Sequence, residues 1–135
     1  MGSTPLNMED NKFPKVSVVF ITYNRPDFLV ESINAIRKNC KYPNLELIVS
    51  DDGTKPSIEK YLDNLAIDKL AKSETNQGLG ANSNKGIRAA TGKYILHHQD
   101  DFECVSSEPF IEKSIQIMKN HSDIGLVRLH HSTMF

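Results

Sequence analysis

Four polar clusters carry residue types suited to nucleotide and metal chemistry. The first is Gln99-Asp100-Asp101. A carboxylate there can bind a hard divalent cation, and the cation can bridge two phosphates and offset charge on a departing diphosphate. Taken alone, the same residues also fit a solvated acidic turn. The second cluster is Asp51-Asp52-Gly53. Its carboxylates can accept hydrogen bonds from a base N–H or a ribose hydroxyl. Equally, an aspartate can cap a helix there while glycine takes a positive φ. The third is Thr22-Tyr23-Asn24, where tyrosine can stack on a nucleobase and its neighbours can hold it, or where a tyrosine simply closes a turn. The fourth, residues 76–86, is NQGLGANSNKG. Its glycines permit close backbone approach, and a helix N-terminus there could face phosphate. It is neither a GxxxxGK[ST] loop nor a GxGxxG fingerprint after the first strand.

The elements that position these clusters alternate in type. Residues 16–22 (VSVVFIT) form an apolar run suited to a strand covered on both faces. Pro26 suits a first helical turn, and Phe28, Leu29, Ile33 and Ile36 recur at helical spacing through residue 39. Residues 45–50 (LELIVS) give a second strand, 57–65 a helix capped by Ser57, and 68–73 a third strand. A helix over 80–90, a strand over 93–98, a helix over 107–120 and a fifth strand over 124–129 (IGLVRL) complete the order. Strands alternating with helices imply parallel βαβ units. Ligands of such sheets bind beyond the carboxyl ends of the strands, where the first three clusters all fall.

Composition excludes other classes. The 135 residues make one domain, 39% hydrophobic and 24% charged, with a formal net charge of −1. No basic patch invites nucleic acid. No apolar run approaches the roughly 20 residues of a membrane span. Residues 1–14 read as a polar lead, disordered or appended, without a signal-peptide core. Cys40 and Cys104 fit no zinc spacing and no disulfide framework, so a reduced, cytoplasmic setting is expected. His97 and His98 are neighbours on a strand and point to opposite faces, which favours packing over chelation. The same holds for His130 and His131. Cys104 has no histidine partner visible in sequence and reads as an unreactive thiol.

The order and spacing of these motifs resemble family 2 glycosyltransferases over residues 15–129. VSVVFITYNRPDFLVESINAI looks like their opening, LELIVSDDGT like their second strand and acidic loop, and NQGLGANSNKGIRAATGKYILHHQDDFE like the run into their DxD region. The resemblance implies a three-layer α/β/α domain of the GT-A, nucleotide-diphospho-sugar transferase type, over residues 15–135, short of the family's acceptor half. It implies that Thr22 and Tyr23 line a nucleobase pocket with Asn24, that Asp52 reads the base N–H beside Asp51, and that Gln99 and Asp100 belong to the DxD-like motif. Asp101 would contact Mn²⁺ or Mg²⁺ on the diphosphate. Asn84 matches the asparagine of an ARN-like segment. Ser83 stands where the family often has arginine, so Lys85 or Arg88 would have to supply that charge. Gln99 replaces the first acid of the motif.

The implied reaction transfers a sugar from a nucleoside-diphosphate sugar, UDP-linked, to a saccharide or lipid-linked hydroxyl, at the inner face of a membrane where partners bring it there. No residue is assigned as catalytic base. Three rivals stand beside it: a nucleotide-sugar-binding module that transfers nothing, a nucleotidyltransferase, and a phosphoacceptor domain. The last two lack their loop residues here. An unfinished sheet edge leaves self-association or a partner chain open.

Overall fold

The computed structural model describes residues 12–54, 59–62 and 65–129. Four strands form one sheet in the order β3-β2-β1-β4, with β1 at Val16–Thr22, β2 at Leu45–Asp51, β3 at Lys69–Lys72 and β4 at Tyr94–Gln99. All pairings are parallel. Among the described residues three helices join them, α1 (Pro26–Asn39), α2 (Glu59–Leu62) and α3 (Leu79–Ala89), and α4 (Phe110–Asn120) follows β4. The three-layer α/β/α class expected from the alternating pattern is the one observed.

The layers follow from side-chain alternation. Val18 and Phe20 of β1 and Leu47 and Val49 of β2 pack with Leu29, Ile33 and Ile36 of α1 and Leu62 of α2. Val16 of the same face packs with Tyr42 and with Ile111 and Ile115 of α4. Val19, Ile21 and Ile48 point the other way, toward Ala89 and Ala90 at the end of α3. Every residue of β1 is therefore buried, as a strand covered on both faces must be. Gly86 allows α3 to sit close: a Cβ there would lie 2.5 Å from Val19 Cγ1 and 2.9 Å from Ser50 Cβ.

Some expectations change. Residues 124–129 form no strand, and Leu126 is 83% exposed. Strand propensity needs a partner edge to act on, and among the described residues none runs beside this segment. Helix α4 begins at Phe110 rather than residue 107, and α2 is described only over Glu59–Leu62, with Ser57 outside the described residues. Phe28 is half-exposed rather than on the buried stripe of α1. Of the expected polar lead, residues 1–11 lie outside the described residues, whereas Phe13 and Pro14 are packed. Tyr42 Oη donates to the Pro14 carbonyl at 2.5 Å, and Asn44 Nδ2 to the Phe13 carbonyl at 2.9 Å. Burial, with Glu112 and Tyr94 adding to it, pushes the Tyr42 hydroxyl up to about 12, so it remains a donor. His130 and His131 lie outside the described residues. Among the described residues no helix is long and apolar enough to cross a membrane.

The amino-terminal edge of the sheet is fastened by a buried acid. Glu46 is 6% exposed and accepts from Ser17 Oγ at 2.6 Å, Thr91 N at 2.9 Å, Thr91 Oγ1 at 2.9 Å and Lys69 Nζ at 3.2 Å. Burial alone would raise its carboxyl; the hydrogen bonds outweigh burial and hold it at about 2, below the ordinary 4.5. The stabilisation is complete above the ordinary value and fades as pH falls toward the folded one. Glu46→Gln should cost on the order of 3 kcal/mol near neutral pH. In urea unfolding, its deficit relative to wild type should shrink as pH falls from about 4.5 to 2. A deficit that stays constant with pH would refute the assignment.

Candidate functional site

Parallel register brings the three strand-end clusters together. Thr22 pairs with Asp51 and Ile21 with Gln99, so β1, β2 and β4 finish level. The next backbone bonds continue the ladder: Asp52 N donates to the Thr22 carbonyl at 3.1 Å and Asp100 N to the Ile21 carbonyl at 3.1 Å. Residues remote in sequence thereby become neighbours.

The two acids after β4 differ in environment. Asp100 is 1% exposed. Its carboxylate accepts from Thr22 Oγ1 at 2.8 Å and from both Nε (3.3 Å) and Nη2 (2.5 Å) of Arg25. Ser32 of α1 lies 2.7 Å from the Asp100 carbonyl and 2.5 Å from the Phe102 carbonyl, which pins the loop to the helix. Asp101 has a side chain 39% exposed and a single long approach, 3.6 Å, to Arg25 Nη1. Gln99 is half-buried at the end of β4.

The two acids after β2 also divide their tasks. Asp51 is fully buried and accepts from Thr54 N at 2.9 Å and from the Thr54 hydroxyl, so it builds its own loop. Thr54 Oγ1 in turn accepts Asn24 N at 2.7 Å, joining the loops after β1 and β2. Asn24 sits at φ +56°, a left-handed conformation that asparagine tolerates. Asp52, 3% exposed, accepts Gln77 N at 2.7 Å and Gly78 N at 3.0 Å. It thus anchors the turn that opens α3. Gly53 is required beside it: φ is +89°, and a Cβ would lie 2.7 Å from the Thr75 carbonyl carbon.

Helix α3 completes the edge. Asn82 Nδ2 donates to the carbonyls of Thr22 (3.2 Å) and Ser50 (3.1 Å), and its Oδ1 accepts Ser50 Oγ at 2.7 Å. Asn84 is exposed on the helix. Lys85 does not supply a cation to the cleft. Its ammonium donates to the Asp51 carbonyl and Ser73 Oγ, each at 2.6 Å. Burial pulls its pKa down, with Asp51 and Asp52 opposing. Tyr23 is 42% exposed at the mouth.

The chain also matches known proteins in sequence and fold. The profile named glycosyl transferase family 2 matches residues 17–134. The chain belongs to glycosyl transferase family 2. It is 35% identical over 120 residues to an uncharacterized glycosyltransferase of Methanocaldococcus jannaschii, covering 84% of this chain and 40% of that protein. It is 33% identical over 98 residues to the GalNAc(5)-diNAcBac-PP-undecaprenol beta-1,3-glucosyltransferase of Campylobacter jejuni, covering 69% of this chain and 31% of that protein. The fold superposes on Staphylococcus aureus TarS 1-349 in complex with UDP, with TM-score 0.63 and 25% identity, covering 80% of this chain and 33% of that one. It also superposes on a Pyrobaculum calidifontis mannosyltransferase, with TM-score 0.67 and 19% identity, covering 78% of this chain and 32% of that one. The chain therefore spans well under half the length of these relatives.

Within this family 2 domain, sequence reasoning missed Arg25, Thr54, Ser32 and Asn82 as builders of the edge. The one available signal was a cation set at a strand exit in a chain with acids at two other exits. Burial pushes the His98 imidazole down, His97 adding in the same sense and the Gln99 carbonyl, Asp101 and Asp100 opposing. His98 packs 4.8 Å from the Phe20 ring and 6.3 Å from Phe102. His97 faces the other side, 3.1 Å from Ser83 Oγ, so the expected divergence holds. Cys40 and Cys104 are free and half-buried, and burial raises both thiols.

The Asp52 geometry predicts a coupling between ligand edge and fold. Asp52→Ala should cost roughly 2 kcal/mol in urea unfolding, because the Gln77 and Gly78 amides lose their acceptor. Hydrogen exchange at those amides should quicken selectively. Unchanged exchange there would sink this role for Asp52.

Proposed function

We propose that this domain holds the donor of a glycosyltransferase, a nucleoside-diphosphate sugar carrying uridine, and that the sugar passes to a hydroxyl of a saccharide or lipid-linked acceptor. The observation that carries the reading is the meeting of Thr22–Arg25, Asp52 and Gln99–Asp101 at one edge of a family 2 domain. In this reading Tyr23 stacks on the base, with Thr22 and Asn24 shaping the pocket floor. Asp52 keeps acceptor sites for a base N–H, since a carboxylate offers about four and two are used. Asp51 contributes by fixing the loop. Gln99 and Asn84 offer amides to ribose and phosphate. The UDP complex of TarS supports a uridine donor. The undecaprenol-linked name of the Campylobacter relative supports a lipid-linked acceptor. With acceptors of that kind, the setting is the cytoplasmic face of a membrane, reached through partners.

Charge explains why a divalent ion belongs here. Asp51, Asp52, Asp100 and Asp101 gather at this edge beside Arg25 and Lys85, and a diphosphate would add further negative charge. Among the described residues no three metal-ligating side chains cluster. Asp101 would hold Mn²⁺ or Mg²⁺, and an ion there would offset negative charge on a departing diphosphate. The chain's own part is to orient the nucleotide and keep Asp101 at the mouth through the Arg25–Asp100 clamp. Gln99, neutral in the first DxD position, favours a second reading in which the domain binds donor without transferring it.

Calorimetry with UDP and a UDP-sugar, with and without Mn²⁺, tests the donor site. Wild type should bind with Mn²⁺, and Asp101→Asn should lose about tenfold or more in affinity. Absence of binding to UDP, GDP and dTDP alike would defeat the reading. Release of sugar from the donor, to water or to an added acceptor, separates the transferase from the binding module.

A further inference from the structure

The donor edge carries a built-in cation whose two acidic partners are held unequally. Arg25 precedes Pro26 at the start of α1, so its backbone is fixed by both β1 and the helix. Its fork grips Asp100, which is buried and also bonded to Thr22, and that carboxylate has no room to turn. The contact to Asp101 is looser, at 3.6 Å between half-exposed groups. The Arg25 side chain is 46% exposed, and its guanidinium carbon lies 5.6 Å from the Phe28 ring centroid. A guanidinium has five N–H donors, and Asp100 uses two of them. Of the other three, those on Nη1 approach Asp101 at 3.6 Å, too long for a hydrogen bond, so an anion can draw them away.

Resting on the donor-site reading, we propose that Arg25 makes divalent-ion binding conditional on the diphosphate. In the free protein its positive charge occupies Asp101. An incoming diphosphate engages its unused N–H donors and leaves Asp101 to the ion.

Two observations support this order. The free protein offers an ion one half-exposed carboxylate with a positive charge beside it, and among the described residues no cluster of ligands adds to it. A hard ion needs about six oxygens, so the protein alone is a poor site. The diphosphate reverses both deficits: it brings oxygens for the ion and a forked acceptor for the guanidinium. Arg25 keeps its grip on Asp100 throughout, so the loop need not rearrange. Coupling of this kind is reciprocal: ion and diphosphate tighten one another by the same factor.

The test measures Mn²⁺ binding to the whole chain, by the spin-resonance signal of the free ion and by calorimetry, with and without UDP, after subtracting the Mn²⁺ that the same UDP binds without protein. Wild type should bind Mn²⁺ weakly alone and about tenfold or more tightly with UDP. Arg25→Gln should bind Mn²⁺ alone roughly three- to tenfold more tightly than wild type, with a smaller gain from UDP. Arg25→Lys keeps a charge at Asp100 but cannot span both carboxylates, and should shift both quantities the same way by less. It decides the question if Arg25→Gln, which leaves Asp100 buried beside only Thr22, does not fold. Asp101→Asn should abolish, in both conditions, the Mn²⁺ binding that the protein adds to that of UDP itself. Equal Mn²⁺ affinity and equal coupling in wild type and the folded Arg25 variants would overturn the proposal while leaving the donor site intact. Failure of wild type to bind UDP with Mn²⁺ would overturn both.

Discussion

Parallel pairing on both sides of β1 is the constraint from which the rest follows. A strand with parallel neighbours on each side has its polar backbone fully used, and helical crossovers cover its two faces. The sequence meets that demand with seven buried residues in a row. Once β1 is fixed, β2 and β4 can stop only where their registers stop. Asp51 falls opposite Thr22 and Gln99 opposite Ile21. The site is thus a consequence of register. A shift of one residue in either neighbour would move its side chains to the opposite face of the sheet, and in β4 it would carry Asp100 away from Arg25.

The acids at that edge show how position separates roles among identical side chains. Asp51 and Asp100 are the inner members of their pairs, and each spends its oxygens on the protein: Thr54 for one, Thr22 and Arg25 for the other. Asp101 reaches outward, and Asp52 sits between, buried but bonded only to backbone amides. Buried carboxylates with complete hydrogen bonding give a rigid frame, because leaving any of them unpaired costs more than the bond itself yields. The frame leaves Asp101 half-exposed at the edge, where the proposed ion would bind.

Much of this was legible in the sequence, for reasons that can be named. The strands of 16–22 and 45–50 announced themselves by β-branched runs, and Pro26 marked the first helix. The convergence of three loops followed from parallel topology alone. What could not be read were pairings that only the fold creates. Arg25 and Asp100 are 75 residues apart, and nothing local says which acid of a pair turns inward. Lys85 looked like a spare cation for phosphate, yet its ammonium lies on the Asp51 carbonyl and Ser73. Residues 124–129 have strand composition but pair with no described strand, although β4 ends the sheet, so propensity misled. Glu46, a charged residue in an apolar run, had its explanation in Ser17, Thr91 and Lys69, none of them near it in sequence.

Glu46 also shows why the chain can keep so many acids at the other end. Helix α3 runs the length of the sheet and is held at both ends by carboxylates. Asp52 receives the amides of the turn that opens it, and Glu46 receives Thr91 just beyond its close. Between them Gly86 brings the helix against Val19 and Ser50, and Asn82 binds the carbonyls of Thr22 and Ser50. A negative charge at the helix N-terminus is favourable, and Asp52 occupies that place. The same position also faces the proposed nucleotide. In the proposed reading, fold and nucleotide recognition would draw on one carboxylate there. Asp101 is different: its single approach is to Arg25 at 3.6 Å, and in that reading it is left for the ion.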